Sequence, residues 1–268
     1  MVAFLASVSL AAVPTVSWAD HSWGNYHWER AANPLELELG DNLTSSDWVS
    51  SLGLTSSDWY VFDVVSTTVV SGKVKNPKNC KATNGRVEVC NSNYGFNGWL
   101  GLAQIWISGN HITKAIVKLN DTYFSYDFYN TSPWRNMVMC QEVGHTLGLA
   151  HRDEDFDNAP LGTCMDYSSD PEPNQHPDGH DYDQLDFIYG QHADEDTSDD
   201  SGPPPGRGRG KNRMPPAMDQ IELTGPPQWG QMIRRSNNGW TEAYRLDFGR
   251  GHKVFTFVIW AEGVEDED

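Results

Sequence analysis

The chain has 268 residues, 38% of them hydrophobic, with 11 Trp, 10 Tyr and 10 Phe, and a formal net charge of −18. That length and aromatic content suit one large folded domain with room for an appendage. The acidity excludes nucleic acid as a partner, because such affinity rests on Lys and Arg neutralising phosphates. Beyond the N-terminus no apolar run reaches the ~20 residues that a transmembrane segment needs.

Val2 to Val13 is apolar and is followed by Ser17-Trp18-Ala19. Small residues at 17 and 19 fit signal-peptidase cleavage before Asp20, so residues 1–19 read as a signal peptide and the protein as secreted and extracellular; the alternative is a buried strand or helix. His21 to Trp28 is aromatic and histidine-rich and reads as a strand with surface rings; the alternative is that its histidines bind metal. Pro34 to Asp41 alternates strictly and predicts a half-buried strand closed by a turn. Ser45-Ser46-Asp47 and Ser56-Ser57-Asp58 each suit the cap of a short helix. Val61 to Val70 and Arg86 to Cys90 read as strands. Leu100–Ile107 and Ile112–Asn120 form a hairpin turned by Ser108-Gly109-Asn110. Asn42, Asn120 and Asn130 each open an Asn-x-Ser/Thr pattern for N-glycosylation.

A helix is predicted from Pro133 to about Leu147, capped by Ser132. Residues four apart share a helical face, so Gln141 and His145 point the same way with Glu142 beside them. Gly148 suits the left-handed stop of that helix, which lets the chain turn back and bring His151 to the same point. Three side chains then converge with a carboxylate alongside, the plan of a catalytic zinc site. Arg152–Asn158 carries Asp153, Glu154, Asp155 and Asp157, either a solvated acidic loop or a structural Ca2+ site. Cys164-Met165-Asp166-Tyr167 follows, and Asp181 is the predicted cap of a last helix, Tyr182–Tyr189.

Four cysteines fit an oxidising compartment and allow three pairings; the alternative is four reduced thiols. Cys80 and Cys90 suit the staple of a hairpin. A bridge from Cys140 to Cys164 would tie the motif helix to Met165.

The stretch 141–151, Q-E-x-x-H-x-x-G-x-x-H, followed by Cys164-Met165-Asp166-Tyr167, resembles the signature of the metzincin metalloproteases, H-E-x-x-H-x-x-G-x-x-H with a methionine turn. Glu142, His145, Gly148, His151 and Met165 fall on matching positions, and Gln141 stands where the first histidine would be. The resemblance implies an α+β catalytic domain of matrixin or astacin type over residues 20–192: a mixed twisted sheet, a motif helix, a methionine turn and a C-terminal helix. It implies a secreted, Zn2+-dependent endopeptidase acting on protein or peptide substrates. His145 and His151 would be metal ligands, Gln141 the third, and Glu142 the general base. Tyr167 would lie at the metal or the oxyanion, and Met165 would form the floor. It also implies that the 100–107 strand is an edge along which an extended peptide pairs. The runner-up reading is a weak or inactive pseudo-protease that binds peptides or a protein partner; a carbohydrate-binding role, suggested by the many Trp, is a further rival.

Residues 193–219, with an acidic run and then Pro203-Pro204-Pro205 and Gly/Arg repeats, read as a disordered linker. Residues 220–268 read as a small β-meander: strands at 228–234, 240–247 and 253–260, turned at Asn238-Gly239 and Gly249-Arg250-Gly251. Oligomeric state stays open.

Overall fold

A computed structural model describes residues 21–153, 155, 158–190, 214–236 and 239–261. The expected signal peptide and most of the expected linker lie outside the described residues. In chain order the elements are β1 (His27–Trp28), β2 (Leu35–Asn42), α1 (Ser46–Asp58), β3 (Val65–Ser71), β4 (Val87–Ser92), β5 (Trp99–Ser108), β6 (His111–Asn120), α2 (Asp121–Phe124) and α3 (Ser132–Thr146). There follow α4 (Gly179–Leu185), a π-helical turn (Asp186–Gly190), α5 (Pro216–Gln220), α6 (Pro226–Trp229), β7 (Gln231–Arg235), β8 (Thr241–Gly249) and β9 (His252–Trp260).

The strands build one mixed sheet in the order β3-β2-β4-β6-β5-β9-β8-β7, with β1 beside β6. The β3 to β6 half is parallel and the β6 to β7 half antiparallel. Fold class is therefore mixed α and β, a large sheet with few helices. In β2 the leucines at 35, 37 and 39 are buried and the glutamates at 36 and 38 exposed, the alternation that its sequence dictates.

The C-terminal strands form the expected meander but not a sheet of their own. β9 pairs along the length of β5, from Trp99↔Trp260 to Ser108↔His252. Consequently β5 is not an edge: β6 flanks it on one side and β9 on the other. Phe255, Phe257 and Ile259 join the core that contains α3. Burying each stabilises this docking by about 1.5–3 kcal/mol, which makes β9 integral to the sheet.

α1 and α3 cover one face. The other face carries a second core in which Trp99, Leu102, Trp106 and Ile116 meet Met218, Leu223 and Trp229. With both faces covered, β5 is buried over nine of its ten residues, hence its near-continuous apolar sequence.

Local differences have local causes. The two Ser/Asp clusters belong to one helix, α1, capped by Ser45. Within it, Ser50 and Ser57 donate their hydroxyls back to the carbonyls of Ser46 and Gly53, so neither breaks the helix. α3 is capped by Thr131 rather than Ser132, and Pro133 sits in its first turn as expected. Asp178, not Asp181, caps α4; Asp181 closes the reciprocal half of a capping box. The strand expected from 228 begins at Gln231, after the short helix α6.

Both disulfides are present, Cys80–Cys90 and Cys140–Cys164. Cys80 precedes β4 and staples a loop to it, so that bridge spans no hairpin. No helix among the described residues is long and apolar enough to cross a membrane. Asn42 and Asn120 are buried, their amides donating to Glu88 and to the Gly95, Asn97 and Trp99 positions. Of the three glycosylation patterns only the one at Asn130 is exposed.

Candidate metal centre

α3 supplies the first part of the site. It is buried from Met137 to Thr146, and it packs close to β5 because Gly101 has no side chain: a Cβ there would lie 2.6 Å from Val138 and 3.2 Å from Glu142. At its end Gly148 takes φ +94°, and a Cβ at that position would lie 2.5 Å from the Tyr26 carbonyl. Only glycine accommodates both constraints. The reversed chain is then pinned: Trp23 N–H donates to Gly148 O (2.7 Å), Ala150 N–H to His21 O (2.6 Å) and Arg152 N–H to Met165 O (2.8 Å).

This reversal brings His151 back to His145, with their Nε2 atoms 3.1 Å apart. His145 Nδ1 lies 2.9 Å from Leu149 O. A carbonyl only accepts, so Nδ1 carries the proton and Nε2 presents its lone pair. Burial, helped by the neighbouring His151, holds the His145 imidazole well below its ordinary pKa and therefore neutral.

Gln141 is fully buried. Its Nε2 donates to the carbonyls of Cys164 (2.9 Å) and Asp166 (3.1 Å), while its Oε1 has no hydrogen-bond partner. Both contacts of the amide are acceptors, so the nitrogen must face them. Gln141 thus clamps the turn that follows Cys164, and only its oxygen is left to serve as a donor. Glu142 is 1% exposed and packs over Gly101. Burial raises its carboxyl well above the ordinary range, opposed in part by the Ala103 backbone.

The methionine turn is fixed independently. The Cys140–Cys164 disulfide ties it to α3. Asp166 Oδ2 accepts from Leu161 N–H and Asn174 Nδ2, each at 2.9 Å. Met165 lies under α3, its sulfur 2.5 Å from where a Gly144 Cβ would project. The Tyr167 ring centroid is 6.2 Å from that of His151.

The imidazole pair has the spacing of two zinc ligands. Two nitrogens each about 2.0–2.1 Å from a tetrahedral zinc lie about 3.3 Å apart, close to the observed 3.1 Å. A ligating histidine characteristically donates its other nitrogen to a carbonyl or carboxylate, as His145 does. The buried Gln141 Oε1, without a hydrogen-bond partner, is the kind of acceptor that a cation satisfies.

The site is covered. The Phe257 ring of β9 stacks on His145 at 4.5 Å and 13°. The cavity at the imidazole pair, walled by Trp23, Arg234, Glu242 and Phe257, leaves about 10 Å³ for water centres, on the order of one water molecule.

A second cluster joins His21, His180 and Asp181, whose potential ligand atoms lie within 4.8 Å of one another. His21 Nε2 is 3.0 Å from Asp181 Oδ1, and the two imidazoles stack at 4.8 Å. Asp181 Oδ2 meanwhile accepts from Thr163 and from the Asp178 backbone. With both oxygens engaged, Asp181 works as a structural knot between the N-terminal segment, the methionine turn and α4. His21 is therefore a buried anchor and not the surface ring its sequence suggested. The acidic loop contributes Asp153, which accepts from Asp155 N–H (2.8 Å) and from Asn158; Glu154 and Asp157 lie outside the described residues. No family model matches the chain, and no curated protein matches it.

Proposed function

We propose that this chain is a secreted zinc-dependent endopeptidase of metzincin type whose site lies beneath its own C-terminal strands. The observation that carries the reading is the His145–His151 pair: two Nε2 atoms 3.1 Å apart, one with its tautomer set by Leu149 O. His145 and His151 would hold the metal, with Gln141 Oε1 as third donor. Bound zinc supplies Lewis acidity toward a scissile carbonyl and toward water. Glu142 takes the proton from the attacking water and delivers it to the leaving amine. Burial raises its carboxyl above the ordinary range, which favours its holding that proton. Tyr167 would donate to the developing oxyanion, and Met165 supports the floor. Two disulfides and the absence of a membrane-spanning helix among the described residues fit an extracellular protein.

Substrate entry requires β8 and β9 to move, because β9 holds the side of β5 where a peptide would pair. The test is hydrolysis of a quenched peptide library by zinc-loaded protein. Parent protein should cleave, and Glu142→Ala should keep zinc but lose cleavage. The covering strand favours a second reading, a pseudo-protease that keeps the fold for binding. Zinc bound one to one, with no cleavage even when Phe257 is replaced by Ala, would establish that reading instead.

A further inference from the structure

Behind the sheet, on the face away from α3, lies a cavity of about 400 Å³. Its size falls in the range of roughly 300–1,000 Å³ that small-molecule sites occupy. The floor is a patch of sheet where Gln104 and Trp106 of β5 lie beside Lys114 and Lys118 of β6. One wall is the loop carrying Lys78 and Lys81, stapled by Cys80–Cys90. The other is the 218–224 segment, held where Trp106 Nε1 donates to Met218 O (3.2 Å) and Gln104 Nε2 to Leu223 O (3.4 Å).

The charge of this cavity runs against that of the chain. The sequence has eight lysines and a net charge of −18, yet Lys78, Lys81, Lys114 and Lys118 all line this one space. Two carboxylates face them, Asp219 and Glu222. Lys114 Nζ pairs with Asp219 at 2.5 Å. Lys118 is 7% exposed and its Nζ lies 5.7 Å from the centroid of the Tyr94 ring; Glu222 acts on it through its charge, while among the described residues it makes no hydrogen bond and no close ion pair. A buried ammonium with no carboxylate in direct contact is costly, and a central strand would carry an apolar residue there at no such cost.

We propose that this cavity binds a small organic anion, a phosphate or a carboxylate, with Lys118 as its charge partner and Lys78 and Lys81 at the rim. Burial pushes the Lys118 ammonium down to about 8 against the pull of Glu222, so the one carboxylate acting on it does not offset its burial and a bound anion would add to the compensation. Nothing in the inference depends on the metal centre.

Equilibrium dialysis of the full chain against labelled inorganic phosphate and, in parallel, labelled succinate tests it and separates the two headgroups. One saturable site for at least one of them is expected. Lys118→Met should weaken it by about tenfold or more, as loss of a charge-assisted contact does, and Lys73→Met, exposed and outside the cavity, should change it by less than about twofold. Acylation of parent protein, mapped by mass spectrometry, gives a reading that needs no variant: the anion that binds should slow modification of Lys118 and leave Lys73 unchanged. The proposal is overturned if neither anion binds saturably below about 10 mM. It is equally overturned if the two variants weaken binding alike, or if Lys118 reacts at the same rate with and without the anion.

Discussion

Replacing Phe257 by alanine should uncover the imidazole pair and raise peptidase activity. Phe257 is 2% exposed, stacks on His145 at 4.5 Å and meets Trp23 edge-on at 4.8 Å. Truncating a buried Phe to Ala destabilises by about 3–5 kcal/mol. A domain of this size loses roughly 2–4 °C in Tm per kcal/mol, so Phe257→Ala should melt roughly 6–20 °C lower yet stay folded at 25 °C. If access depends on local opening of β8 and β9, about 3 kcal/mol taken from the closed form raises the open fraction roughly 100-fold. Initial rates on a quenched peptide, measured well below the melting onset, should rise by up to that factor. A variant that melts lower as forecast but cleaves no faster than the parent would refute the covering role of β9.

Three further outcomes follow from the packing. Replacing Cys140 and Cys164 together by serine opens a closure between residues 24 apart; about 3 kcal/mol of stability should be lost in denaturant titrations, and zinc affinity should fall as the turn clamped by Gln141 loosens. Lys118 titrates near 8 in the folded chain against its ordinary 10.5, so between pH 8 and 10 the unfolded state binds more protons and stability rises with pH. The gain is up to roughly 3 kcal/mol over the full interval, and urea midpoints of Lys118→Met should lack that rise. Trypsin should cut first between Arg207 and Arg213, where the composition is that of a linker; because β9 pairs with β5, the two fragments should co-elute in native buffer and separate only in denaturant. Fragments that separate without denaturant would contradict the shared sheet.

Much of the site is legible in local sequence because its geometry is local. His145, Gly148 and His151 lie within seven residues, and one helix, one left-handed glycine and one reversal bring the imidazoles together. Pro133 marks the start of α3, and the alternation from Leu35 to Leu39 defines β2. What the sequence hides is long-range. The patterns of Thr241–Gly249 and His252–Trp260 announce strands but not their neighbours, so the docking of β9 on β5 goes unseen. A signal for it existed: Leu100–Ile107 is apolar almost throughout, which suits a strand covered on both faces and paired on both sides rather than an edge. Likewise Lys114 and Lys118 share one face of a buried strand, a pattern that solvation alone does not explain. The His21–Asp181 contact joins residues 160 apart and leaves no periodic trace. Gln141 makes a contact that the motif does not announce: its amide donates to Cys164 O and Asp166 O.

Zinc stoichiometry by elemental analysis, on the parent and on point variants, tests the metal centre most directly. One zinc per chain is expected in the parent, with retention in Glu142→Ala, tighter binding in Gln141→His because imidazole is the stronger donor, and loss in His145→Ala. A parent that binds no zinc, or a His145→Ala variant that holds it as firmly as the parent, would mean that the 3.1 Å His145–His151 contact is a plain hydrogen bond between two buried rings and that the centre is not a metal site.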